Sequence, residues 1–282
     1  MNSARRVFRF APSPNGFLHL GHAFSALSNF ELARECGGRF LLRIEDIDVL
    51  RARPQFEAAI YEDLAWLGLD WERPVRKQSE HFGDYLAALE RLEALGLLYP
   101  CNCTRADIAR AAPKGGPRDP DGAPLYPGTC RDRARPPIRE VLQTGGVALR
   151  LDMAKALELA RPLTWREFGV DDIAARPEQW GDVVLARKDT PTSYHIAVVV
   201  DDALQGVTDV VRGEDLFHAT SLHRLLQHLL GLPAPDYRHH QLLRDAGDEK
   251  LSKSAGSKTL RELRAEGVTP REARALAGSV TG

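Results

Sequence analysis

The chain has 282 residues, of which 43% are hydrophobic and 27% charged, with a formal net charge of -1 and a pI near 6.8. Those values fit an ordinary globular protein with room for one large or two modest domains, and they exclude a globally basic chain, so any nucleic-acid contact must use local patches. Arg5 and Arg6 near the start are followed by an apolar run that Arg9 and then prolines break, so no secretory leader or membrane span is expected and the sequence reads as cytoplasmic.

Val7, Phe8 and Phe10 predict a buried strand, Pro12, Pro14, Asn15 and Gly16 a turn, and Ala23, Leu27 and Phe30 a helix that opens with His19 and His22. A helix start after a strand offers unpaired N–H groups and a positive dipole end, which suits a phosphate. Gly37-Gly38 stops the helix and Arg39–Ile44 returns as a second strand, giving a right-handed strand-helix-strand unit that ends in Glu45-Asp46-Ile47-Asp48. In such sheets ligands sit beyond the carboxyl ends of the strands, where both the turn and Glu45 lie. Cys36, at the helix end, reads as inert packing. A helix then runs from Pro54 to Leu67, an extended piece from Val75 to Gln78, and a periodic helix from His81 to Leu95.

From Leu97 the composition shifts. Cys101-Asn102-Cys103, a Gly/Pro-rich stretch from Ala112 to Gly128, Cys130 and an arginine-rich run from Arg131 to Arg139 suggest a small inserted subdomain held by a metal. Three clustered cysteines fit a reduced compartment and a zinc site better than a disulfide framework, and the spacing leaves the fourth ligand open. The loop from Arg105 to Arg118 and the arginine run have two readings, basic groups near an RNA or solvated linkers. Short extended segments follow at Val147–Leu151 and Leu163–Trp165. The main sheet is expected to resume at Asp182–Arg187 and at Tyr194–Val200, the latter a branched apolar run typical of a strand buried on both faces. Val207–Val211, a helix through Leu222, Leu225, Leu226 and Leu229, and a strand from Tyr237 to Leu243 lead to Lys250-Leu251-Ser252-Lys253-Ser254. Two short helical pieces, Leu260–Ala265 and Arg271–Leu276, complete the reading.

His19-Leu20-Gly21-His22 and Lys250-Leu251-Ser252-Lys253-Ser254, in this chain order, resemble the HIGH and KMSKS motifs of class I aminoacyl-tRNA synthetases. Arg9-Phe10-Ala11-Pro12-Ser13-Pro14, Arg43-Ile44-Glu45-Asp46 and Val211-Arg212-Gly213-Glu214-Asp215 narrow the resemblance to the glutamyl type, and the short C-terminal part to its shortened branch, the glutamyl-queuosine tRNA(Asp) synthetases. The resemblance implies an α/β fold, a Rossmann-like doubly wound parallel sheet with an inserted small zinc-binding subdomain. The implied divisions are 1–98 and 182–245 for the catalytic domain, 99–181 for the insert, and 246–282 for the KLSKS loop and a short helical tail without an anticodon-binding domain.

It implies activation of L-glutamate by ATP with Mg²⁺, without tRNA, and transfer to the queuosine base of tRNA(Asp); the absence of an obvious exposed apolar stripe in the sequence favours a monomer. His19, His22 and Lys253 would be catalytic, with Gly21 and Lys250 also at ATP. Arg9, Ala11, Ser13, Glu45, Tyr194 and Arg212 would bind glutamate, the arginines by forked contacts to its carboxylates and Glu45 at its ammonium. The resemblance also supplies Tyr126 as the fourth zinc ligand beside Cys101, Cys103 and Cys130. Two other functions stay open: a truncated glutamyl-tRNA synthetase charging tRNA(Glu), and a catalytically silent RNA-binding paralogue.

Overall fold

The computed structural model describes residues 5–242 and 258–279. Strands β1 (Val7–Phe10), β2 (Arg39–Ile44), β3 (Glu72–Lys77), β4 (Leu98–Cys101), β5 (Ala148–Leu151), β6 (Thr164–Trp165), β7 (Ile173–Ala174), β8 (Val184–Ala186), β9 (Asp209–Gly213) and β10 (Asp236–His240) are joined by helices α1 to α10. These are α1 (Leu20–Glu35), α2 (Pro54–Trp66), α3 (Phe82–Ala94), α4 (Arg105–Ala111), α5 (Ile138–Thr144), α6 (Met153–Leu159), α7 (Tyr194–Leu204), α8 (Ala219–Leu229), α9 (Leu260–Ala265) and α10 (Pro270–Ser279). Among the described residues, no helix is long and apolar enough to cross a membrane.

The chain divides into two compact units, one of Met1–Glu80, Gly206–Phe217 and Pro235–Gly282, the other of His81–Gln205 and His218–Ala234. The first holds a five-stranded sheet in the order β10-β9-β1-β2-β3, parallel throughout. Strand β1 is buried at every residue and β2 at all but its first, as expected where helices cover both faces of a parallel sheet. Helix α1 turns Ala23, Ala26 and Ala33 inward, and such small side chains let it lie close on the strands. Pro54 stands at the first turn of α2, where a missing N–H costs nothing, and Gly68 just beyond that helix takes a positive φ of 75° that side-chain-bearing residues avoid. The strand order reverses between β1 and β9, which makes the gap beyond their carboxyl ends the topological switch point.

The second unit is built on an antiparallel sheet, β4-β5-β8. Strand β8 therefore does not resume the parallel sheet, as its sequence suggested. The larger correction concerns Tyr194–Val200, which is the start of helix α7 and not a strand. Residues Ile196 to Asp202 are all buried, and a helix buried on every side gives the same unbroken apolar run as a buried strand. The buried Asp201 at its end accepts a hydrogen bond from the Tyr85 hydroxyl at 2.9 Å. Helices α4, α5 and α6 are additions to the sequence reading; at seven residues each they are too short to show a clear period. Cys36 is exposed at the α1 C-cap, where the cap backbone and not a packed thiol ends the helix.

Candidate active site and thiol cluster

Most of the candidate residues lie on the first unit, at the carboxyl edge of its parallel sheet. The turn after β1 is held by its neighbours: Glu45 N–H donates to the Pro12 carbonyl at 3.0 Å, and Arg53 N–H to the Pro14 carbonyl at 3.0 Å. These bonds put Ala11 and Ser13 next to the end of β2, where Glu45 sits. Glu45 is oriented by Arg43, a fully buried guanidinium whose Nη2 lies 3.1 Å from the Glu45 carboxylate. Arg43 went unassigned in the sequence reading because an arginine in an apolar strand looks like an outward-facing residue.

Arg9 on β1 is 4% exposed and Arg212 on β9 is 5% exposed. Phe8 pairs with Asp209, so Arg212 lies beyond that pair toward the carboxyl end of β9, beside the switch point. Buried guanidiniums keep their charge, and they give this edge strong, directional donors for carboxylate or phosphate oxygens. The strand under Arg212 is fastened from α1, where the fully buried Asn29 donates to the Val211 carbonyl at 3.0 Å.

His19 and His22 form a reciprocal cap on α1. His19 Nδ1 accepts from Gly21 N–H at 3.1 Å, His22 Nδ1 accepts from His19 N–H at 3.2 Å, and the ring centroids are 3.9 Å apart. With both Nδ1 atoms accepting, the proton of each neutral ring resides on Nε2, so both imidazoles carry an Nε2–H donor at a positive helix end. Gly21 suits this arrangement, since a Cβ there would stand 3.0 and 3.1 Å from atoms of the His19 ring and the ring would have to give by a few tenths of an ångström. The chain comes back to the same place at the start of α9: Thr259 bridges His19, and Leu260 N–H donates to the Leu18 carbonyl at 2.8 Å. Lys250 and Lys253 lie outside the described residues. Tyr194 belongs to the second unit, at the first position of α7, with its ring 5.5 Å from that of His195 and 5.6 Å from that of His223.

The second unit also carries the thiol cluster. The sulfurs of Cys101, Cys103 and Cys130 lie within 4.8 Å of one another, with Cys103 and Cys130 3.6 Å apart. The Tyr126 hydroxyl is 3.4 Å from Cys101 Sγ and 3.6 Å from Cys103 Sγ. A tetrahedral zinc, with Zn–S near ~2.3 Å and Zn–O near ~2.0 Å, sets edges of about 3.8 Å between sulfurs and about 3.5 Å from sulfur to oxygen. The donor set therefore fits such an ion in both element type and spacing. Burial and the neighbouring thiols push the Tyr126 hydroxyl well above its ordinary range, so it holds its proton until a cation displaces it. Burial raises the Cys130 thiol, but hydrogen bonds from Tyr126, the Asn102 backbone and the other thiols outweigh it and bring the group down to about 7.

The arginine-rich run is a brace for this unit. Arg131 binds the buried Asp182 at 2.7 Å, Arg135 reaches the Gly96 carbonyl at 2.7 Å and Asp152 at 3.1 Å, and Arg139 pairs with Glu90. These arginines thus make anchoring contacts within the unit, while the Arg139 side chain stays largely exposed. Asp182 also takes a hydrogen bond from the Tyr99 hydroxyl at 2.5 Å, while Arg150 stacks 3.9 Å over the Tyr126 ring.

Comparison with known proteins identifies the family of the chain. The family described as tRNA synthetases class I (E and Q), catalytic domain, matches residues 6–276. A Glutamyl-Q tRNA(Asp) synthetase of Rhodobacter capsulatus is 50% identical, over 96% of this chain and 99% of its own length. The chain belongs to this family. It is a ligase of the aminoacyl-tRNA synthetase type. A Glutamyl-Q tRNA(Asp) synthetase of Symbiobacterium thermophilum is 42% identical, over 93% of this chain and 82% of its own. Among solved structures, a glutamate-tRNA synthetase from Elizabethkingia anophelis superposes with a TM-score of 0.71 at 29% identity. That match covers 89% of this chain and 53% of the longer one, so the chain spans about half of that relative.

Proposed function

We propose that the protein activates L-glutamate with ATP to glutamyl-adenylate without tRNA, and then transfers glutamate to the queuosine base of tRNA(Asp) in the cytoplasm. The observation that carries the activation step is the pair of buried arginines, Arg9 and Arg212, on the two strands that flank the switch point. A substrate with two carboxylates calls for such donors, and Glu45, held by Arg43, supplies the negative partner for its ammonium group. Ala11 and Ser13 line the turn and Tyr194 adds a hydroxyl. The α-carboxylate, already ionised at neutral pH, attacks the α-phosphate of ATP without a general base, and pyrophosphate leaves. His19 and His22 donate from Nε2 to phosphate oxygens as charge moves onto the leaving group, Gly21 allows their close approach, and Lys250 and Lys253 add positive charge. Magnesium travels with the phosphates.

The acceptor rests on the name and near-full-length similarity of the Rhodobacter capsulatus relative. A structural zinc ion held by Cys101, Cys103, Tyr126 and Cys130 would organise the loops of the second unit. Glutamate-dependent ATP–pyrophosphate exchange in the absence of tRNA tests the first step, and an inactive preparation would sink it. Labelled glutamate offered to tRNA(Asp) with and without queuosine, and to tRNA(Glu), tests the second. Labelling of queuosine-bearing tRNA(Asp) alone is expected; labelling of tRNA(Glu) would instead assign ordinary charging.

A further inference from the structure

We infer that His239 is a positioning residue for Arg212, an inference that rests on the reading of Arg212 as a carboxylate donor. Strands β9 and β10 are parallel neighbours in a register that puts His239 directly beside Arg212. Across that pair, Arg212 Nε–H donates to His239 Nε2 at 3.2 Å. On the other side of the same guanidinium, Nη2 donates to the Leu216 carbonyl at 3.1 Å, in the turn that follows β9. Two donors on one rigid planar group, held by two acceptors on different elements, fix the plane of the guanidinium before any ligand arrives. A free arginine side chain carries about 2 kcal/mol of rotamer entropy, and holding it in place beforehand removes most of that cost from binding.

The imidazole is itself held. Its ring lies parallel to that of Tyr237, 6.0 Å away and 1° from coplanar orientation, and the Phe217 ring meets it edge-on at 5.1 Å. Tyr237 also lies under the Arg212 guanidinium, 5.4 Å from its centroid. Because Nε2 accepts from Arg212, the His239 proton resides on Nδ1 and the ring is neutral; a proton on Nε2 would oppose one N–H to another beside a permanent cation. The role asks for an acceptor atom at the Nε2 position and for nothing else that histidine offers. Glutamine can place its amide oxygen close to that position, whereas asparagine, one methylene shorter, places its oxygen where Nδ1 stands.

This difference in reach gives the test. In glutamate-dependent ATP–pyrophosphate exchange with the full chain, His239→Asn is expected to raise the KM for glutamate about 10-fold or more, the loss of one hydrogen bond to a charged group. The KM for ATP should stay within about twofold, and His239→Gln should restore the glutamate KM to within about threefold of the wild type. An unchanged glutamate KM in His239→Asn would overturn the inference. Equal impairment in the asparagine and glutamine variants would also overturn it, because it would show that packing of the ring against Tyr237 and Phe217 is all that matters. Arg212→Lys separates the layers: if that variant keeps the wild-type glutamate KM, the reading of Arg212 itself fails, whereas a raised KM there with an unaffected His239→Asn removes only the positioning role. A measurement without substitution guards against a variant that does not fold. In wild-type protein labelled with ¹⁵N-histidine, His239 should show the neutral Nδ1–H tautomer, and an Nε2–H tautomer would contradict the geometry.

Discussion

In the first unit the candidate side chains leave from the ends of regular elements: Arg9 and Arg212 from parallel strands, Glu45 from the residue after β2, His19 from a helix cap. In the second, three of the four candidate metal ligands stand in the connections around α4, and only Cys101 closes a strand. The first arrangement is rigid because backbone ladders and a buried core fix where each charge points. Around the thiols only a small cluster of Tyr99, Cys101, Tyr126 and Cys130 is buried, with Cys103 and Ile108 packed on it, set apart from the larger apolar core of the same unit, so an ion bound there would add the cross-links that apolar area supplies elsewhere. Damage to the two regions should therefore look different: lost chemistry with an intact fold in one, loosened structure around the thiols in the other.

The largest effect is expected at the thiols. Cys130→Ser, or exhaustive chelation of the wild type, should remove zinc from the purified protein and lower the stability of the second unit by an amount on the order of several kcal/mol. Elemental analysis together with thermal unfolding checks this, and a zinc-free protein with an unchanged melting curve would erase the contrast. Next, Arg212→Ala should lower kcat/KM for glutamate in the exchange reaction by about 10²–10³-fold, the range for truncating one partner of a buried charge-assisted contact, while the zinc content stays at the wild-type level. If activity and metal content fell together, the two regions would be coupled more tightly than their separate construction suggests.

Gly21→Ala is a milder probe of the first unit. A methyl group at about the edge of the His19 ring must displace the cap, and a loss near ~1 kcal/mol predicts roughly a 5–10-fold rise in the KM for ATP with little change for glutamate. The smallest effect concerns stability alone. Asp63, fully buried on α2, is pushed up to about 6 chiefly by burial, with Arg264 on α9 pulling it back from 3.6 Å. A carboxyl whose folded value is raised binds its proton more tightly in the folded state. Its stabilising contribution is complete below the ordinary carboxylate value near 4 and is lost as pH climbs through about 6. Asp63→Asn should remove that loss and make the protein more stable above pH 6, by about 1–2 kcal/mol in urea unfolding at pH 7. A variant less stable than the wild type at that pH would show that the Arg264 contact outweighs the cost of burial.

The same contrast explains what the sequence could and could not reveal. Pro12 to Gly16, His19 to His22 and Arg39 to Ile44 were legible because turn chemistry, helix starts and apolar runs are local signals, and the structure sets β2 over the same six residues. Ile196 to Val200 misled because a fully buried helix and a fully buried strand erase the alternation that separates them. The arginine run from Arg131 to Arg139 gave no hint of its partners, since Asp182, Asp152 and Glu90 are distant in the chain. Arg43 and His239 escaped for a related reason: each acts through another side chain, and only strand register places His239 against Arg212.

The start of α9 bears on what holds the C-terminal helices to the sheet. Leu242 N–H is bonded to the Glu214 carboxylate at 3.3 Å, and Thr259 and Leu260 are fastened to His19 and Leu18. The chain is thus anchored separately on each side of residues 243–257, once at the turn after β9 and once at the start of α1. A backbone cut between Leu242 and Thr259 is therefore expected to leave the two pieces associated, since each flank keeps its own bonds and the buried Leu260 and Leu263 keep α9 in the core. Gel filtration of the nicked protein checks this.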